Sequence, residues 1–357
     1  MKKSFLGVVL LFSAGYYLKA QQTTVTTLSG DDIKVITELL QKTGFNGSVF
    51  ISQKGKTILD YHTGFADKEK GITNNNALRY NIGSIGKALT AVLILKLVEQ
   101  SMLELEKTVA HYLPGTSLKN ADKITIRQLL NMTSGLGDYF TAPGFDESTT
   151  FTNKAILEFV VQSIPLTDTP GNHVSYSNSA FIVAGAILEQ MYQQEFREIV
   201  RHQLLLPAGI TLSATTCAVG YELIKGEWKP AKNGNNPHAF AGAGGLFLSS
   251  IELHQLMQYI IKENYISETT LKRMWNKESH PEMDPPFVHY GLGWMVEEPG
   301  GVQLVGHNGG VEGFQAAFRY LPQDDLYISV LSNHGNGAEV AFMKVLMLWL
   351  HKKGVQF

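Results

Sequence analysis

Apolar positions fall at Ile33, Ile36, Leu39 and Leu40 in the stretch DDIKVITELLQKTG, the spacing of one helix face, and Gly44 closes it. The period then changes. GSVFISQKGKTILDYHTGFAD offers two β-rich runs around Lys54 and Gly55, which predicts a hairpin. From Ser84 to about residue 240 helical patterns dominate, TIRQLLNMT and AFIVAGAILEQMY among them, separated by breaks such as Pro170-Gly171. Toward the end VQLVGH, FQAAFRYL and LYISVLS read as three strands, the last two joined by the turn PQDD. The closing run VAFMKVLMLWLHKKG is apolar, but Lys344 and its short length make it a packed helix rather than a membrane span.

With β-rich segments at both ends and helices in the middle, the pattern predicts an α/β (α+β) architecture. The chain ends build one antiparallel sheet flanked by terminal helices, and an all-helical lobe is inserted between its strands. The expected division is a sheet lobe of approximately residues 30–83 and 240–357 and a helical lobe of approximately 84–239. Small-molecule sites form in clefts between such lobes. No internal repeat, low-complexity tract or Pro- or Ser-rich linker breaks the chain into independent domains.

One stretch departs from simple amphipathicity. In NIGSIGKALTAVLILKLVEQ, residues 81–100, Lys96 is the only charge between Ala88 and Val98, so the helix is apolar on nearly every side and belongs in an interior. Lys87 nevertheless sits in its first turn, three residues after Ser84, on the same helix face. A serine hydroxyl is a poor nucleophile until a base takes its proton, and a lysine serves as that base when burial disfavours its charged form. Backbone N–H groups at the helix head also suit an oxyanion. The same residues are equally consistent with Ser84 as a helix cap and Lys87 as a solvated first-turn residue.

Composition narrows the field. The 357 residues are 44% hydrophobic and 17% charged with a formal net charge of -2, which is ordinary for a globular protein and offers no basic stripe for nucleic acid. The single cysteine, Cys217, excludes an internal disulfide and a multi-cysteine metal site. MKKSFLGVVLLFSAGYYLKAQQ has the layout of a secretory signal: two lysines, a short apolar run from Phe5 to Ala14, and a plausible cleavage point after Ala20. Residues 1–20 are therefore expected to be a signal peptide and 21–357 the exported protein, in a bacterial periplasm or the medium, with no transmembrane segment.

Two further stretches carry candidate chemistry. In PGNHVSYSNSAFIVAGAILEQ, Tyr176 and Asn178 lie just before the next apolar helix. A nearby ammonium would favour the phenolate of Tyr176 and make it a general base, while Asn178 can orient an amide substrate or the lysine. As plain structure, Asn178 or Ser179 would cap the helix and Tyr176 would be a half-buried aromatic. In LVGHNGGVEGFQAAF a strand runs into His307, Asn308, Gly309 and Gly310. Glycines on a strand mark close approach of a backbone or a ligand, and the Gly310 N–H could be a second oxyanion donor.

Taken in order, Ser84-Ile85-Gly86-Lys87, Tyr176-Ser177-Asn178 and His307-Asn308-Gly309 resemble the three motifs of the penicillin-recognising serine hydrolases. The branch they look like holds class C β-lactamases, D-alanyl-D-alanine carboxypeptidases, D-aminopeptidases and esterases. ADKITIRQLLNMTSGLGD, AGAGGLFLSS, YGLGW and GHNGGVEGF look similar to that branch too, and the likeness runs over about residues 30 to 350. The resemblance implies a β-lactamase/DD-peptidase-like fold. It also implies Ser84 as the acylated nucleophile, Lys87 and Tyr176 as the proton-transfer pair, and the N–H groups of Ser84 and Gly310 as oxyanion hole. Asn178, His307, Asn308 and Gly309 would meet a small-molecule or short-peptide substrate, peptidoglycan-derived peptides among the options. No metal or organic cofactor is implied.

One departure bears on specificity. Where class C β-lactamases carry Lys-Thr-Gly, this chain has His307, Asn308 and Gly309, and a neutral imidazole and an amide form a weaker carboxylate site. The resemblance thus implies peptidase or esterase action ahead of β-lactamase action. The chain has no Gly-x-Ser-x-Gly elbow, zinc helix or phosphate loop, and its eleven histidines are scattered. A non-catalytic sensor of the same fold that binds penicillin or wall peptides is the alternative, although such a protein has no need of a nucleophile and its bases.

Overall fold

Helix α1 (Gly30–Lys42) opens with a reciprocal cap: the Ser29 hydroxyl accepts from the Asp32 N–H while the Asp32 carboxylate accepts from the Ser29 N–H. The computed structural model describes residues 28–146, 152–212, 217–278, 288–335 and 337–355. The expected signal peptide lies outside these. The predicted hairpin follows as β1 (Gly47–Gln53) and β2 (Lys56–Thr63). Its turn residues Lys54 and Gly55 both have positive φ, the geometry that matches strand twist in a two-residue turn.

Five strands come from the far end of the chain: β3 (Val288–Tyr290), β4 (Met295–Glu297), β5 (Leu304–Val311), β6 (Phe314–Leu321) and β7 (Leu326–Ser332). All pair antiparallel in one seven-stranded sheet of order β2-β1-β7-β6-β5-β4-β3. The two chain ends therefore meet in the middle, where β1 pairs with β7 from Gly47↔Ser332 to Gln53↔Leu326. Beside that seam the Asn46 amide donates to the Asn333 carboxamide oxygen across 287 positions of sequence.

Alternation along the strands sends residues to two cores. Val49, Ile51, Ile328 and Val330 face the terminal helices, packing against Ile36, Leu40, Val345 and Trp349. Phe318, Tyr327 and Leu331 face the other way, where α5 (Ser250–Ile261) contributes Leu253, Leu256 and Met257. The C-terminal helix, α6 (Ala338–Lys352), forms where the apolar run predicted it.

The middle of the chain holds α2 (Gly86–Glu99), α3 (Asn153–Ser163) and α4 (Asn178–Tyr192) with shorter helical pieces. Every residue of α2 from Gly86 to Leu95 is buried, as its lack of a polar face requires. The segment is not purely helical, since Tyr221–Ile224 and Glu227–Pro230 form a small hairpin within it. Helix α5 lies beyond the expected boundary near residue 240 and covers the sheet. Among the described residues no helix is long and apolar enough to cross a membrane.

Candidate active site

Gly83 sets the approach to the site. Its φ is +50°, and a Cβ there would stand 2.7 Å from the backbone nitrogen of Gly310 on β5. Only glycine permits both the backbone conformation and the contact. The short 3₁₀ turn Gly83–Ile85 thereby rests on β5 and delivers Ser84 to the head of α2. Ser84 caps nothing: neither the turn nor α2 has a side-chain cap. The hydroxyl is therefore free for other partners.

Lys87 is completely buried. Its Nζ stands 3.0 Å from Ser84 Oγ, 2.6 Å from Asn178 Oδ1 and 2.7 Å from the Ala243 carbonyl oxygen. Asn178 Nδ2 donates to Asp138 Oδ2 at 2.8 Å, which fixes the carboxamide so that its oxygen faces the lysine. Two of the three partners of Nζ can only accept. A neutral amine spends its two N–H bonds on them and is left with a lone pair aimed at the Ser84 hydroxyl. Burial drives the Lys87 pKa down to about 7, against the opposing pull of the Asp138 charge, so the neutral form is well populated near neutrality.

Tyr176 shares the same hydroxyl through a hydrogen bond to Ser84. Its ring lies under the lysine, with Nζ 4.9 Å from the centroid. The expectation that a neighbouring ammonium favours the phenolate is not met. Burial, the larger cause, and the Asp138 charge both push the phenol further above its ordinary value, and the hydrogen bond with Ser84, which lowers it, does not offset them. At neutral pH Lys87 is thus the group equipped to accept a proton and Tyr176 the group equipped to donate. The cap of α4 is Ser177, whose Oγ accepts from the Ala180 N–H at 3.2 Å, and not Asn178 or Ser179. Asn178, as the first helical residue, is left to face the lysine.

The third motif is placed differently from expectation. His307 is buried and does not line the cavity in front of Ser84. Its Nδ1 stands 2.5 Å from the Asn308 carbonyl oxygen, an acceptor only, so Nε2 accepts from the Tyr290 hydroxyl at 2.7 Å. Burial, with Lys87 nearby, lowers its pKa to about 3 and keeps the ring neutral. The Asn308 side chain goes to the opposite sheet face, because strand residues alternate, and accepts from Arg319 at 3.0 Å beneath α6. Gly309 is a contact glycine: a Cβ there would sit 2.0 Å from the Ile82 carbonyl oxygen and 3.2 Å from Ser84 N. Gly310, with nothing near its Cβ position, opens onto the cavity.

That cavity, of about 470 Å³, is lined by Ser84, Tyr176 and Asn178, by Gly310 and Val311 at the end of β5 and Glu312 just beyond it, and by the aromatic residues Tyr139, Phe140 and Phe145. Four contributors went unnoticed in the sequence. Asp138 ends the quoted SGLGD run, and the Ala243 carbonyl lies inside AGAGG, so both stood in stretches already singled out. Glu312 likewise lies inside the quoted GHNGGVEGF, and the aromatic wall alone gave no such signal. Chemically, the assembly offers a hydroxyl between an amine lone pair and a phenol, with two backbone N–H groups, of Ser84 and Gly310, brought close by the Gly83 and Gly309 contacts.

Comparison with known proteins agrees with this architecture. A family model described as Beta-lactamase matches residues 33–348. The protein PbpX of Bacillus subtilis (strain 168) is 24% identical over 313 residues, covering 85% of this chain and 75% of that protein. Protein Flp of Staphylococcus aureus is 25% identical over 318 residues, 84% of this chain but 62% of Flp, so less than two thirds of that relative is spanned. The crystal structure of a penicillin binding protein from Bacillus halodurans superposes with a TM-score of 0.78 at 22% identity, covering 88% of this chain and 98% of that one. D-amino acid amidase from Ochrobactrum anthropi SV3 gives 0.76 at 19% identity, covering 90% and 98%. At these identities the structural likeness establishes the fold.

Proposed function

This chain belongs to the beta-lactamase family, and from that premise we propose that it is a serine hydrolase acting through an acyl-enzyme on Ser84. The observation that carries the proposal is the buried Lys87 amine 3.0 Å from the Ser84 hydroxyl, with its other partners fixed as acceptors. Ser84 Oγ attacks the substrate carbonyl carbon as its proton passes to Lys87, and the N–H groups of Ser84 and Gly310 hold the resulting oxyanion. Tyr176 hydrogen-bonds Ser84 Oγ and supplies a proton toward the leaving group, and Asn178 keeps Lys87 in line. Water then attacks the acyl-enzyme with the same groups in reverse roles.

The substrate we assign is an amide or ester, a D-amino-acid peptide or a small ester, with β-lactams turned over weakly or not at all. His307 and Asn308 stand where a cation and a hydroxyl would engage a carboxylate, and neither side chain lines the cavity. The same reading makes the protein an exported one, with residues 1–20 as signal peptide and a sheet lobe and a helical lobe enclosing the cleft. Family members named for penicillin binding and for D-amino acid amide hydrolysis fit this substrate class.

A parallel assay on a D-Ala-D-Ala peptide, a D-amino-acid amide, nitrocefin and a p-nitrophenyl ester tests the proposal, alongside fluorophosphonate labelling of wild type and Ser84→Ala. Labelling lost in Ser84→Ala, with turnover of an amide or ester, is the expected result. Folded wild-type protein that neither labels nor turns over any of the four would replace the hydrolase with a binding protein.

A further inference from the structure

The cavity in front of Ser84 has an electrical character that the nucleophile alone does not dictate. Its lining carries two carboxylates, Asp138 and Glu312, and among the described residues no lysine or arginine side chain. The partners of both are uncharged. Asp138 accepts from the Phe140 N–H at 3.0 Å and from the Asn178 amide at 2.8 Å. Glu312 accepts from the backbone N–H groups of Lys232 at 3.2 Å and Asn233 at 3.1 Å. Lys87, which feels the Asp138 charge through space, lies behind the lining and is easily deprotonated.

The wall beside these carboxylates is apolar. The rings of Tyr139 and Phe145 meet edge to face at 4.7 Å, and Phe140 remains 39% exposed next to them. Aromatic faces favour a cation and give nothing to an anion. A carboxylate entering this cavity meets like charge without a compensating partner, whereas an ammonium finds both attractions. Glu312 is placed to exert this choice because it lies in the turn directly after β5, two residues beyond Gly310, and lines the same cavity as Ser84.

We propose that the cavity selects acyl donors that join an ammonium group to an apolar side chain and rejects those bearing a carboxylate, with Glu312 as the specificity-determining residue. This refinement rests on the hydrolase reading above. It goes beyond it in naming the charge of the substrate and the residue that reads it.

Three p-nitroanilides of phenylalanine, taken in both enantiomers, test it: one with a free amine, one N-acetylated and one N-succinylated. The order of kcat/KM is free amine, then acetyl, then succinyl, with at least about fivefold between first and last, the scale of one charge contact in a wet cleft. In Glu312→Gln the ratio of first to last falls by about threefold or more. A ratio is insensitive to the fraction of variant that folds. The same ranking is read without chemistry, as affinities of Ser84→Ala for the three corresponding amides by calorimetry at about pH 6, where the free amine is charged. An inert Ser84 would thus overturn the hydrolase reading and still leave the charge preference measured. Equal or reversed affinities and rates, or a ratio unaltered in Glu312→Gln, would overturn the selection proposed here.

Discussion

Lys87 Nζ donates to Asn178 Oδ1 at 2.6 Å, and the same carboxamide donates from its nitrogen to Asp138 at 2.8 Å. Asn178 is therefore a spacer that keeps a carboxylate one residue away from the amine. Asp138 raises the lysine pKa through space without forming an ion pair with it, and burial, the larger cause, still brings that pKa down to about 7.

A pH profile exposes this arrangement. Since the neutral amine is the active form in the proposed mechanism, kcat/KM for an uncharged ester is expected to rise with pH through a limb near 7, the value to which burial lowers Lys87. Asp138→Asn removes the charge that favours the ammonium, so the limb moves to lower pH, by about one unit or less. A limb that stays in place would show that Lys87 does not control it.

Lys87→Arg abolishes acylation although a cation is retained, because a guanidinium cannot give up its proton in a protein. The measurement is fluorophosphonate labelling of a variant shown to be folded by circular dichroism. Retained labelling would remove Lys87 from its role as base.

For Tyr176→Phe the expected loss in turnover is about a hundredfold, the usual scale for a missing proton donor or acceptor. The half-buried ring remains, so stability changes little. Undiminished turnover would mean that the phenol contributes only packing.

Gly309 and Gly310 separate packing from chemistry. Gly309→Ala drives a Cβ against the Ile82 carbonyl and destabilises by about 3 kcal/mol or more. Gly310→Ala has open space and stays close to wild type in urea unfolding. Equal midpoints for both would contradict the close approach of β5 to the turn that carries Ser84.

Acid weakens the fold through one buried and two half-buried histidines that are neutral when folded. Burial lowers the pKa of His307 to about 3 and those of His254 and His334 to about 4. Between those values and the ordinary 6.5 the unfolded chain binds protons that the folded one refuses. The histidine contribution is therefore fully present above about 6.5 and is lost as pH falls, with His307 accounting for at most about 1.4 kcal/mol per pH unit. Urea midpoints that do not fall between pH 6.5 and pH 4 would contradict this.

Much of this was legible from periodicity. Helix α1, the first hairpin, β5 to β7 and α6 follow from apolar spacing and turn residues, because each is a local pattern with a clear boundary. The strands β3 and β4 escaped notice since each has three residues, too few for alternation to register. For the site, the all-apolar α2 correctly forced Lys87 indoors. Its partners could not be read the same way. The face on which Asn308 emerges depends on the register of β5, and the rise in the Tyr176 pKa depends on burial supplied by distant segments.

The seam where Asn46 meets Asn333 has a consequence for biosynthesis. A growing polypeptide cannot close the sheet until its final strand is available, and the turn bearing Ser84 leans on a strand made almost as late. Under the proposed mechanism Ser84 is consequently mute in every partial product of translation. Hydrolytic capacity would arrive in one step with the last part of the chain, wherever that part finally folds.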